Sequence, residues 1–304
     1  MSTLRGLVPI LATPFHPDGS LDQPSLDRLV HFQIVSGAEG LAIFGMASEN
    51  FALDSSERSL ILKSVIGTAR RLDPKLPIVA GVAPTGYAPA LEQGRQAVDA
   101  GADLLMVLPP FLVKASGDQL SEFYGRLASE LGVPIMVQDA PLTTGVTISE
   151  GLIADLAKLP GVEYVKVEAP PTAPKVAKVA QLVRDQMAIF GGQNGQFLLE
   201  ELSRGAVGTM PACEFTDFLA VVLSAYRDGD AAGANEQFTR LLPLLIYGLQ
   251  SGIAWAVHKE ILARRGIIAS PRVRAPAAAL DRSSHEGLLR ALGPFEKMTS
   301  WQVL

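Results

Sequence analysis

The sequence predicts a (β/α)8 TIM barrel with a C-terminal helical extension, and three observations carry that prediction. Short apolar runs alternate with longer segments of helical periodicity as far as residue 212, the signature of parallel βα units. Eight such units follow one another, the number that closes a barrel. Several runs are apolar without alternation, as expected of strands covered on both faces.

The strand runs fall at residues 7–12, 40–44, 78–82, 104–108, 135–138, 164–167, 188–190 and 207–210. Between them, residues 25–35, 56–70, 88–100 and 119–130 show the apolar stripe of helices packed on a sheet. Gly37 and Gly101 sit where two of these helices should stop, because glycine takes the left-handed conformation of a helix end at low cost. From residue 231 the pattern changes to helical segments at 231–249 and 251–264 with no strand between them. Residues 1–230 are therefore expected to form the barrel and residues 231–304 a helical region.

Composition narrows the class of partner. Acidic residues outnumber basic ones 31 to 26, which disfavours nucleic acid and anionic membranes and favours a small molecule. The single cysteine, Cys213, can form neither an intramolecular disulfide nor a cysteine metal cluster, consistent with a cytoplasmic protein. No apolar stretch approaches the roughly 20 residues of a membrane span. His16, His31, His258 and His285 lack metal-ligand spacing, so no metal is expected, and surface or packing roles are assigned to them. Arg264, Arg265, Arg272 and Arg274 are read as solvating the end of a C-terminal helix.

Most of the nine lysines lie in helical or loop contexts that suit a solvated ammonium, but Lys166 interrupts the strand run Tyr164-Val165-Lys166-Val167. A buried ammonium is costly, and the common response is a neutral amine able to attack a carbonyl. Strand alternation puts Glu168 on the same side, nearer the C-terminal end where barrel active sites lie. An iminium on the lysine and a proton-transferring carboxylate make a coherent catalytic pair. A lysine snorkelling from a strand end, or pairing with Glu168 for stability alone, fits the same pattern.

Three further segments follow strand ends. The turn from Gly45 to Asn50, with Ala47 and Ser48, offers backbone N–H groups and a hydroxyl to a carboxylate, or caps the next helix. Of Gln138 and Asp139, one is expected to reach substrate hydroxyls and the other to hold the loop. Gly191-Gly192-Gln193-Asn194-Gly195 lacks the lysine and spacing of a phosphate loop, which leaves a sugar-acid contact through Gly192 or Asn194, or a loop-forming role.

The run Leu7-Val8-Pro9-Ile10-Leu11-Ala12-Thr13-Pro14-Phe15, Asp18-Gly19, the turn at 45–49, Leu108-Pro109-Pro110-Phe111 and the Lys166 strand together resemble the dihydrodipicolinate synthase and N-acetylneuraminate lyase superfamily over nearly the whole chain. The resemblance implies a barrel with C-terminal helices, a homo-oligomer, often a tetramer, and a Schiff base between Lys166 and pyruvate or another 2-oxo acid, with no cofactor. Two departures bear on the reaction. The family's Gly-Thr-Thr-Gly-Glu turn reads Gly45-Met46-Ala47-Ser48-Glu49, and its Tyr-Asn-x-Pro segment, source of the proton-carrying phenol, reads Gln138-Asp139-Ala140-Pro141. A second family tyrosine corresponds to Phe111. The set Ser48-Glu49, Val137 to Pro141 and Lys166-Val167-Glu168 is most similar to the 2-keto-3-deoxy sugar acid dehydratases, whose substrates include L-2-keto-3-deoxyarabonate. Dehydration with Glu168 moving the proton is the expected reaction. A pyruvate-dependent aldolase or synthase is the alternative, and a non-catalytic 2-oxo acid binder is a third reading.

Overall fold

The computed structural model describes residues 4–296 and arranges them as an eight-stranded parallel sheet curled on itself inside a ring of helices. The strands are β1 (Gly6–Leu7), β2 (Leu41–Ile43), β3 (Ile78–Val82), β4 (Leu104–Val107), β5 (Ile135–Asp139), β6 (Val162–Val167), β7 (Ala188–Gly191) and β8 (Gly208–Thr209). They pair in the order β1-β8-β7-β6-β5-β4-β3-β2. The remaining seam closes where Ile10 bridges Ala42, with the Leu11 N–H donating to the Ala42 carbonyl at 2.8 Å. The (β/α)8 barrel expected from the sequence is thus the fold observed.

The first and last strands are shorter than their apolar runs. Pro9 has no N–H to give the ladder, so regular pairing of β1 stops at Leu7 and resumes only as the Ile10 bridge. In the same way β8 ends before Pro211. Alternation divides the wall: Ile10, Met106, Met136, Tyr164, Phe190 and Met210 fill the lumen, while Val137, Val165, Val167 and Ile189 face the helices.

The helices around the wall are α1 (Gln23–Val35), α2 (Ser55–Leu72), α3 (Tyr87–Asp99), α4 (Gly117–Leu131), α5 (Pro141–Thr144), α6 (Glu150–Leu156), α7 (Thr172–Val183), α8 (Leu198–Leu202) and α9 (Thr216–Arg227). Several start on a side-chain cap that satisfies backbone donors left free at a helix N-terminus. Asp54 and Ser116 begin α2 and α4 as capping boxes with Glu57 and Gln119. Gly37 and Gly101 do follow α1 and α3 with positive φ, as their positions suggested.

Beyond residue 230 lie α10 (Ala231–Tyr247), α11 (Ala254–Arg264) and α12 (Arg282–Leu292), the last not foreseen. Phe238, Leu241, Leu244 and Leu288 from this region share a core with Phe215 and Leu219. Burial of each such side chain contributes about 1.5–3 kcal/mol. The Trp255 indole donates to the Met46 carbonyl at 2.7 Å, which lays α11 against the turn after β2, at the C-terminal end of the barrel. The ends of the two regions, residues 1–3 and 297–304, lie outside the described residues.

The arginine cluster is corrected by the structure. Arg265 is buried and pairs with Asp217 at 2.5 Å, and Arg274 pairs with Glu57 at 2.6 Å, so both fasten the C-terminal segment to the barrel rather than solvate a helix end. A guanidinium can cross such a seam because its planar fork satisfies a carboxylate through two bonds at once.

Candidate active site

The β6 strand turns Lys166 into the lumen, where the side chain is 1% exposed and its Nζ lies 3.1 Å from Glu168 Oε1. In the parallel register of β5 and β6, Gln138 is the neighbour of Lys166. The Gln138 amide donates to Glu168 Oε2 at 2.8 Å, and the Gln193 backbone N–H donates to Oε1 at 3.2 Å. Gln193 also donates its side-chain amide to the Glu168 carbonyl at 2.9 Å. Burial pushes the Glu168 carboxyl up, but the Lys166 charge and the Gln138 and Gln193 donors outweigh it and hold the group below its ordinary value. Glu168 is therefore a carboxylate at neutral pH, placed to accept a proton.

Lys166 and Glu168 border a cavity of about 310 Å³ at the strand ends, a size suited to a small acid. Of the other residues singled out in the sequence, Ala47 and Asn194 also border it. Gly192 leaves the space that Glu168 fills, since a Cβ there would stand 2.4 Å from Glu168 Cγ. Gln138 reaches the site through Glu168.

Ser48 and Asp139 are placed differently. The Ser48 hydroxyl donates to the Leu11 carbonyl at 2.6 Å, and its own carbonyl accepts from Thr13 Oγ1 at 2.6 Å, so the side chain braces the segment after β1 against the turn instead of offering its proton to a ligand. Asp139 is one residue past Gln138 and points outward, to Lys175 Nζ at 2.7 Å. Burial raises its pKa against the opposing charge of Lys175. Asp139 thus lies on the helix side of β5, opposite the lumen that Gln138 faces. The Asn194 amide is likewise committed to backbone, donating to Leu245 O and accepting from Ala212 N–H, each at 3.0 Å.

Sequence reasoning missed several residues here. Trp255 and His258 border the cavity from α11, and their spacing of three, which places them on one helix face, was the available signal. Lys175 and Lys259 are buried partners of carboxylates rather than solvated cations, Lys259 against Glu49 beneath the β2 turn. Glu201 on α8 is buried behind Gly191, and nothing in its surroundings in sequence announced that. Among the described residues, no group of three or more His, Cys, Asp or Glu is arranged to hold a metal ion, and no helix is long and apolar enough to cross a membrane.

A closed (β/α)8 barrel with a lysine–carboxylate pair at the strand-end cavity has the architecture of the barrel enzymes, whose active sites occupy that face. The chain belongs to the dihydrodipicolinate synthetase family, a family of Schiff-base lyases, whose profile matches residues 3–293. It is 31% identical over 291 residues to the L-2-keto-3-deoxyarabonate dehydratase of Azospirillum brasilense, covering 94% of this chain and 92% of that protein. It is 29% identical over 244 residues to the 4-hydroxy-tetrahydrodipicolinate synthase of Methanothrix thermoacetophila, covering 79% and 80% of the two chains. The crystal structure of dihydrodipicolinate synthase from Rhodopseudomonas palustris superposes with a TM-score of 0.89 at 29% identity, over 95% of this chain and 97% of that one.

Proposed function

We propose that the protein is a lyase that binds a 2-oxo acid as a Schiff base on Lys166 and dehydrates a 2-keto-3-deoxy sugar acid of the L-2-keto-3-deoxyarabonate type. The observation that carries this reading is the 3.1 Å approach of the Lys166 amine to an ionised Glu168 beside the cavity. The Lys166 ammonium loses a proton, the free amine adds to the C2 carbonyl, and the C2 oxygen leaves as water after taking up that proton and one from the nitrogen, forming an iminium that draws electron density from C3. Glu168 removes a C3 proton, the C4 hydroxyl departs with a proton as water, and hydrolysis of the iminium returns the lysine. The backbone at Ala47 holds the substrate carboxylate. This sequence calls on no metal or organic cofactor.

Two observations favour dehydration over aldol chemistry. No tyrosine borders the cavity among the described residues, and an amide at Gln138 cannot carry a proton as a phenol does. The Azospirillum brasilense relative is named as a dehydratase. The synthases among the relatives favour carbon–carbon bond chemistry as the second reading. Leu112 and Val113, neighbours in the chain and each more than 70% exposed, support self-association into a homo-oligomer, which light scattering measures.

The deciding experiment is borohydride reduction in the presence of pyruvate or L-2-keto-3-deoxyarabonate, followed by mass mapping and by analysis of the unreduced product. The expected result is an adduct on Lys166 that is absent from Lys166→Ala, with a product one water lighter than the sugar acid. Pyruvate and an aldehyde as products would establish the aldolase reading. The absence of any Lys166 adduct would overturn the Schiff-base reading.

A further inference from the structure

The cavity holds a second polar couple apart from Lys166 and Glu168. His258, only 5% exposed, borders it from α11, and its Nδ1 lies 2.7 Å from Oε1 of Glu214, a carboxylate 1% exposed just after β8. Among the described residues the second oxygen of Glu214 has no hydrogen-bond partner, so the imidazole is the group this buried carboxylate depends on. Such a carboxylate keeps a proton on Nδ1 and fixes the plane of the ring. Gly248 closes the other edge, where a Cβ would stand 2.7 Å from His258 Cε1. The ring is therefore clamped, and among the described residues no hydrogen bond engages its Nε2. Asn194 beside it is held in place by backbone bonds at both ends of its amide.

We propose that His258, oriented by Glu214, is a specificity-determining residue that hydrogen-bonds through Nε2 to a hydroxyl of the substrate remote from C2. This rests on the Schiff-base reading above, in which C2 is fixed at Lys166 and the carboxylate lies at the turn after β2. Trp255 lays the start of α11 on that turn, but His258 stands one turn further on, beside Gly248 and Glu214 on the β7 and β8 side of the cavity, and so faces the rest of the substrate. A hydroxyl suits the position chemically, since it can donate to a neutral imidazole or accept from a charged one, whereas a carboxylate suits only the charged form. The preferred ligand is accordingly a polyhydroxylated 2-oxo acid rather than a simple one.

The test compares half-saturation of borohydride trapping on Lys166 by pyruvate and by L-2-keto-3-deoxyarabonate in wild type, His258→Leu and His258→Gln. His258→Leu should raise the half-saturating concentration of the sugar acid about tenfold, the worth of one hydrogen bond, and leave that of pyruvate within about twofold. His258→Gln, which keeps a polar end, should recover part of the loss. Pyruvate trapping also reports whether each variant folds. Equal loss for both acids would make His258 a structural partner of Glu214 and overturn the inference, as would no loss for either. A wild-type protein trapped by neither acid would overturn the Schiff-base reading and this inference with it, and one trapped by pyruvate alone would overturn the sugar-acid specificity.

Discussion

Gln138 and Lys166 stand side by side across β5 and β6, and the amide of the first grips the carboxylate that faces the amine of the second. That grip is one of the forces holding Glu168 ionised. Gln138→Leu removes it, so the Glu168 pKa should rise. Because the base must be deprotonated to act, the acidic limb of the pH–rate profile should move to higher pH, with activity recovering as pH increases. An unmoved limb would show that Gln138 does not govern the ionisation of Glu168.

Glu168→Gln keeps the shape of the site and removes the base. Turnover should fall by about 10²- to 10⁴-fold, the usual worth of a positioned proton acceptor, while borohydride trapping on Lys166 persists. Turnover close to wild type would reassign the proton transfer.

Gly192→Ala is predicted to act on Glu168 rather than on the substrate. The new methyl would stand 2.4 Å from Glu168 Cγ, forcing the carboxylate off its donors. Steady-state kinetics should show kcat reduced at least tenfold, and thermal unfolding should show a protein that still folds. A normal kcat would mean that the carboxylate has room to relax.

The barrel was legible because its signal is repeated: one apolar run of any eight could mislead, but the alternation of eight could not. Lys166 and Glu168 were legible because a charged residue within a buried strand breaks its pattern. The same two-residue period, carried one strand back through the β5 register, also separates Gln138 in the lumen from Asp139 on the helix side. The fate of Ser48 was not legible, since its partner Leu11 is 37 residues away and a hydroxyl carries no mark of which carbonyl it will meet. Lys259 and Glu49 were invisible for the same reason. Each has an ordinary local context, and only the fold brings them together.

That buried pair gives the next prediction. Lys259 also lies 4.1 Å from the centroid of the Phe15 ring, and burial pushes its pKa down to about 8 against the pull of Glu49. Lys259→Met should cost about 3–5 kcal/mol in urea denaturation, because it strands the Glu49 carboxylate without its cation. The double variant Glu49→Gln with Lys259→Met should lose much less, since the glutamine still accepts the Arg274 N–H that Glu49 Oε2 takes at 2.9 Å. Equal losses in the two variants would mean that the pair matters through packing and not charge.

Glu201 makes a prediction about pH. Its Oε1 accepts from Thr172 Oγ1 at 2.6 Å, while its Oε2 is buried against Gly191 without a partner among the described residues. Burial, aided by the nearby Glu168 charge and opposed by Thr172 and Lys166, raises its pKa from 4.5 to about 7. Between those values the folded protein binds more protons than the unfolded chain, so this group's contribution to stability is complete below pH 4.5 and is lost as pH rises through 7. The shift corresponds to about 3 kcal/mol. Glu201→Gln does not titrate, and its carbonyl can still accept from Thr172. Unfolding free energies of the two proteins, measured from pH 4.5 to 8, should therefore diverge by about that amount in favour of the variant as pH rises. A constant difference would mean that Glu201 keeps an ordinary carboxyl pKa, and that water or a shift of α8 reaches the oxygen that now faces only the Gly191 backbone.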